Sequence, residues 1–154
     1  MHYQLVEALS RGLPAGRLVV DPDVLAAMSQ DDAEWAPAGQ AAAGVRATTE
    51  AEVAHVVRVC AQLRVPVVPR GAGTGLAGGA NAVDGCVVLD LARMDQVLEI
   101  DRDNMTCVVQ PGIVNNDLKA LVAAARHPAA WAALPTVTWC GSGGAPPRAW
   151  PGWT

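Results

Sequence analysis

The chain has 154 residues, enough for one domain with a core but short for an enzyme that must hold both a large cofactor and a substrate. Its formal net charge of -4, with only 11 Lys and Arg, offers no basic patch and excludes the electrostatic footprint of a nucleic-acid binder. Cys60, Cys86, Cys107 and Cys140 form no CxxC pair, which excludes a zinc or thiol-exchange motif; no metal is expected, and the thiols read as small buried hydrophobes suited to a reducing compartment.

The first stretch carries Glu7 within its apolar residues and has no uninterrupted apolar run, so it reads as neither a signal peptide nor a membrane span, and a cytoplasmic location is expected. Leu5, Val6 and Leu9, followed by Gly12 and Pro14, predict a short amphipathic helix. DPDVLAAM (21–28) predicts another, with Asp21 as its cap and Pro22 at its first position. Residues 1–40 are expected to form a helical extension that covers the domain peripherally, and residues 30–44, which show no period, a connection.

Thr49 and Glu52 have the spacing of a capping box, and Val53, Val56, Val57, Cys60 and Leu63 then recur at three- and four-residue steps. This predicts a helix with one buried face. Val65 to Val68 follows as a short buried strand and delivers PRGAGTGLAGG (69–79) at its carboxyl end, where α/β proteins bind ligands. NAVDG (81–85) is a turn, CVVLDL (86–91) a second strand, and QVLEID (96–101) with MTCVVQP (105–111) a hairpin. Asn115 can cap a last helix with apolar Leu118, Leu121 and Val122.

Three ligand-binding forms compete for the glycine run. A Walker A loop needs a lysine for the outer phosphates, and no lysine precedes Lys119. Gly73, Gly75 and Gly78 satisfy G-x-G-x-x-G, but the Rossmann form requires a crossover helix, and only Ala80 to Gly85 separate Gly79 from the next strand. The remaining form is a phosphate nest without a helix: the N–H groups of Gly71 to Gly75 converge on an anion, Arg70 adds charge and Thr74 a hydroxyl. A plain surface turn would not need five glycines in eleven residues, given the conformational entropy each loses on folding.

VVPRGAGTGLAGG, VVLDLARMDQVLEID and VVQPGIVNNDLKALV, in this order, resemble the FAD-binding domain of FAD-linked oxidases of the vanillyl-alcohol-oxidase/PCMH type, within it the glycolate oxidase FAD-subunit and D-lactate dehydrogenase group. The resemblance covers about residues 41–126. It implies an α+β fold with an α/β-like first subdomain and an FAD between two subdomains. Carried over, Arg70, Gly71, Ala72, Gly73, Thr74 and Gly75 would cradle the diphosphate, Gly78 and Gly79 would admit the flavin side, and Gln110, Pro111 and Gly112 match a QPG turn that closes against the cofactor. The implied reaction moves a hydride from the hydroxyl-bearing carbon of a small 2-hydroxy acid to the flavin, giving a 2-oxo acid; further oxidase subunits are conceivable partners.

The family's second glycine motif, of the form TIGGNVATNAGG, is missing, as is the C-terminal domain that carries most substrate-binding groups, so the domain reads as truncated. No catalytic residue is assigned: His55 falls inside the capped helix, His127 opens the tail, and His2 stands at the chain start. Residues 127–154 contain no Asp, Glu or Lys, yet hold four of the five tryptophans and five of the eleven prolines, without period. Such a composition is what a GC-rich gene yields out of frame, and codons for Gly141 to Thr154 permit VGRRTAKGVAGLD in another frame. An internal deletion with a frame change is therefore expected, testable in the gene's nucleotide sequence. The chain is then an FAD-dependent enzyme, an FAD-holding module that needs a partner chain, or an inactive fragment.

Overall fold

A computed structural model describes residues 2–124. In chain order it comprises α1 (His2–Ser10), β1 (Leu18–Val19), α2 (Pro22–Met28), β2 (Ala43–Arg46), α3 (Glu50–Leu63), β3 (Val67–Arg70), β4 (Val87–Asp90), β5 (Val97–Asp101), β6 (Thr106–Val109) and α4 (Asn115–Ala124). One sheet has the order β1-β2-β4-β3, with β2, β4 and β3 parallel and β1 antiparallel at one edge. The hairpin β5-β6 stands apart from it.

The main core lies on one face of the four-stranded sheet. Leu5 and Leu9 of α1 and Val56, Val59 and Cys60 of α3 pack there on Ala43, Val45, Val87 and Leu89. Leu9, Val45, Val56 and Val87 are fully buried, and burying each such side chain contributes about 1.5–3 kcal/mol. A second cluster joins Leu25 and Met28 of α2 to Val68, Cys86 and Val88. The N-terminal segment is thus no peripheral cover: it supplies α1 to the core and β1 to the sheet. Leu118 and Val122 of α4 form a third cluster, under the hairpin residues Val97, Ile100, Cys107 and Val109.

α2 starts as expected, with the Asp21 carboxylate accepting from the N–H groups of Asp23 and Val24. At α3 the Thr49 hydroxyl accepts from Glu52 N–H at 3.3 Å, but the Glu52 carboxylate turns to Thr48 N–H at 2.6 Å and to Arg17 Nε at 3.3 Å. Arg17 also donates to the Thr48 hydroxyl at 2.8 Å, so a residue outside the helix shifts the return bond by one position. Burial pushes the Glu52 carboxyl up, yet Thr48 and Arg17 outweigh it and hold it below its ordinary value. Burial, with Cys86 nearby, pushes the Cys60 thiol up to about 11, which suits an inert core residue. Cys107 is only half-buried, and Cys140 lies outside the described residues.

Several boundaries move. The strand expected over 65–68 runs from Val67 to Arg70, because α3 ends on Arg64 in the left-handed region (φ 55°) and Val65 N–H still bonds back to Cys60. The connection expected over 30–44 already contains the start of β2. α4 begins on Asn115 itself, and Leu121 on it is exposed, while Leu118 and Val122 are buried. The β5-β6 turn is held by the Asp101 carboxylate, which accepts from the N–H groups of Asp103 and Asn104.

β3 and β4 are parallel neighbours with no helix between them. The chain from Gly71 to Cys86 must therefore rise off the end of β3 and return to the start of β4 unaided, so the glycine run is itself the crossover. β3 is the outer strand among the described residues. Val87 N–H bonds to Pro66 O and Leu91 N–H to Arg70 O, so the even-numbered residues face β4 and exposed Pro69 faces the open edge.

Candidate functional site

The carboxyl ends of the three parallel strands meet in one row, with Arg46 opposite Asp90 and Asp90 opposite Arg70. Arg46 and Asp90 form an ion pair at 4.0 Å. From this row the glycine run departs. Arg70 is half-buried and donates to Gln30 O through Nη1. Its guanidinium lies against Gly73: a Cβ there would fall 2.1 Å from Nη2 and 2.3 Å from Cζ, and Gly73 has φ +76°. Only glycine allows both the positive φ and this close approach.

No backbone N–H from Gly71 through Gly79 donates to a protein acceptor among the described residues. Nine successive donors, with a guanidinium at their start, are thus left available to a ligand, and an anion is the chemistry that such donors suit. Thr74, Gly75 and Gly79 are exposed, and a Cβ on Gly79 would meet nothing within 4 Å, so that end of the loop faces open space. Gly78 has φ +71° and abuts Ala36.

The QPG turn arrives from the hairpin. Gly112 N–H donates to Met94 O at 2.8 Å, and a Cβ on Gly112 would lie 2.1 Å from Leu91 O. A Cβ on Gly71 would lie 3.6 Å from Pro111 O, so the turn and the glycine loop meet at that residue. The fold thus brings together the two segments that the sequence singles out, although forty residues separate them. The Gln110 side-chain oxygen accepts from Gln96 N–H at 3.1 Å, which leaves only its amide donors free to face outward.

The residues fit a nucleotide diphosphate: backbone donors and Arg70 supply the positive end, and the glycines admit close approach. A cavity of about 590 Å³ that Gly112 of the QPG turn also lines does not, because Asp95 and Asp117 line it and no residue of the glycine loop does. His55 is no acid or base for the site; its ring bonds to Leu9 O at 3.1 Å and packs on Gly12, joining α3 to α1. His2 is exposed on α1, and His127 with the rest of 127–154 lies outside the described residues.

Two side chains at the site escape sequence reasoning. Asp31 and Asn81 are each 7% exposed and bond to one another, Asp31 N–H donating to Asn81 Oδ1 at 2.8 Å. Asp31 Oδ2 accepts from Ala80 N–H at 3.4 Å, at the far end of the loop. Asp31 belongs to a stretch without period; only the pairing of a short acidic residue with Asn in a glycine-rich turn could have signalled it.

A parallel sheet whose glycine-rich crossover presents unbonded donors beside an arginine defines a dinucleotide-binding domain of the kind that uses no crossover helix. The model of the family described as "FAD binding domain" matches residues 41–149, and the chain belongs to that family, of the PCMH type. Among curated relatives it is 41% identical over 105 residues to the glycolate oxidase subunit GlcD of Bacillus subtilis (strain 168), covering 68% of this chain and 20% of the relative. It is 43% identical over 74 residues to a D-lactate dehydrogenase of Anaerostipes hadrus, covering 48% of this chain and 16% of the relative. The chain therefore spans about a fifth of the length of the relatives it matches. Among solved structures, p-cresol methylhydroxylase with substrate bound shares the fold at TM-score 0.68 and 24% identity, over 80% of this chain and 24% of that one. An alkyldihydroxyacetonephosphate synthase does so at TM-score 0.71 and 20% identity, over 81% and 25%. The cofactor of the family is FAD. No helix among the described residues is long and apolar enough to cross a membrane.

Proposed function

We propose that the chain is the diphosphate-gripping part of an FAD-dependent oxidoreductase that converts a small 2-hydroxy acid of the glycolate or D-lactate type to the 2-oxo acid. The observation that carries this is the meeting of the glycine loop and the QPG turn at Gly71 and Pro111, with nine unbonded N–H groups on the loop. Arg70, Gly71, Ala72, Gly73, Thr74 and Gly75 would hold the diphosphate; Gly79, open to space, would admit the flavin side, with Gly78 beside it making way for Ala36; Gln110, Pro111 and Gly112 would close the grip. FAD, when bound, would accept from the substrate carbon one hydride, which carries both electrons, while the hydroxyl proton leaves to a base or to solvent. The identities to the glycolate oxidase subunit and D-lactate dehydrogenase support the substrate class.

A second reading, an FAD-holding module completed by another polypeptide, is supported by a specific observation. Among the described residues no histidine stands at the glycine loop, and the nearest carboxylate, on Asp31, is occupied by Ala33 and Ala80 N–H groups. The test is to purify the chain, add FAD, and follow the flavin absorbance with and without D-lactate or glycolate. Bound flavin that bleaches with a hydroxy acid supports the oxidoreductase, and bound but unreactive flavin supports the module. A chain that retains no flavin removes both.

A further inference from the structure

A loop with nine unbonded amides has little internal structure to keep its shape, and a ligand that must order it loses affinity to that ordering. Here both ends of the loop are tied down from outside by the segment between α2 and β2. At the near end, Gln30 O accepts from the Arg70 guanidinium that lies under Gly73. At the far end, the Asp31 carboxylate takes Ala80 N–H, and Ala36 Cβ sits where a side chain on Gly78 would go. Asn81 completes the tie: its oxygen accepts from Asp31 N–H at 2.8 Å, and its amide donates to Ala36 O at 3.2 Å and Pro37 O at 3.3 Å. Asp31 in turn fixes its own turn by accepting from Ala33 N–H at 2.9 Å. Ala82 N–H to Ser29 O and Gly39 N–H to Ala82 O lay the same segment along the loop's return.

We infer that residues 29–39, which precede the region matched by the family model, act as a strap that holds the glycine loop in its ligand-ready shape, with Asp31 and Asn81 as its positioning residues. The inference rests on the FAD-binding reading for its purpose, but the strap itself is a property of the protein alone. Both side chains are buried and hydrogen-bonded to backbone from the other segment, so removing either leaves buried groups without partners, frees the far end of the loop and loosens the segment whose Gln30 carbonyl holds Arg70 at the near end. Asn81→Asp is the sharpest change, because it keeps size and acceptor while deleting both donors and facing two carbonyls with a charge.

The structure also supplies a readout independent of FAD. Trypsin cuts after Arg70 only if that side chain leaves Gly73 and the loop opens, whereas Arg11, Arg93 and Arg102 are exposed reference sites. In the full chain, Asn81→Asp should speed the cut at Arg70 about tenfold while the cuts at Arg11, Arg93 and Arg102 keep their rates. The dissociation constant for FAD, measured by flavin fluorescence, should rise about tenfold as well. Should Asn81→Asp not fold, Asp31→Asn, which keeps an acceptor for Ala33 and weakens only the bond to Ala80, is read in the same two ways. An unchanged cut at Arg70, equal acceleration at every arginine, or a faster cut at Arg70 with unchanged FAD affinity would each overturn the inference. If the unaltered chain binds no FAD, the FAD reading falls and the selective cut at Arg70 alone decides the strap.

Discussion

Gly112→Ala tests whether the QPG turn is locked onto the sheet connection. A Cβ on Gly112 would lie 2.1 Å from Leu91 O and 2.9 Å from both Ala92 C and Met94 O, all backbone atoms that cannot rotate aside. Ordinary contact needs more than 3 Å, so the turn must move by about 1 Å, and the 2.8 Å bond from Gly112 N–H to Met94 O goes with it. Overpacking costs about 1–3 kcal/mol and the hydrogen bond about 1 kcal/mol, together about 2–4 kcal/mol. For a domain of this size that lowers the melting temperature by roughly 6–16 °C. Thermal unfolding followed by circular dichroism at one protein concentration measures it. A variant that melts within about 2 °C of the parent would show that the turn is not clamped, and the close meeting of Pro111 with Gly71 would lose its physical basis.

Gly79→Ala is the counterpart, since its new Cβ meets nothing within 4 Å. Stability should stay level or rise by up to about 1 kcal/mol through the less flexible unfolded chain, while FAD affinity drops at least about tenfold because the methyl group occupies the flavin side; unchanged affinity in a folded variant would remove Gly79 from the site. Glu52→Gln should cost about 1–2 kcal/mol near neutral pH, as the ion pair with Arg17 is lost. The folded carboxyl titrates below its ordinary 4.5, so its stabilisation is present above pH 4.5 and is lost as pH falls through the lower folded value. Urea midpoints for parent and variant should therefore converge in acid; a gap that stays constant down to pH 2 would contradict the assignment.

How far the sequence alone reaches depends on whether a residue's partner is near in the chain. The 3.6-residue period of Val53, Val56, Val57, Cys60 and Leu63 is a local property, and α3 follows it except at Val57, which lies beside the stripe and is exposed. The glycine density of 69–79 is likewise local, and the loop stands at a strand end as its composition predicts. β2 is hard to read because Ala43 and Gly44 carry no strand preference, and the two-residue Leu18–Val19 becomes a strand only by pairing with Gly44 and Val45. The capping box failed in one half for a similar reason, as Arg17, far away in sequence, draws the Glu52 carboxylate toward Thr48. Asp31 looked like loop residue and nothing more, since its role rests on Asn81, fifty residues on. Residue type at the site was readable; the distant contacts that hold it in place were not.

Pro69 gives the outer strand β3 a further property. On that strand the outward-facing positions are Val67 and Pro69, and proline has no N–H to offer. A second chain laid along this edge would find one donor where a regular strand presents two, and would meet the rigid ring beside it. Pro69 thus makes this edge of the sheet a poor template for growth.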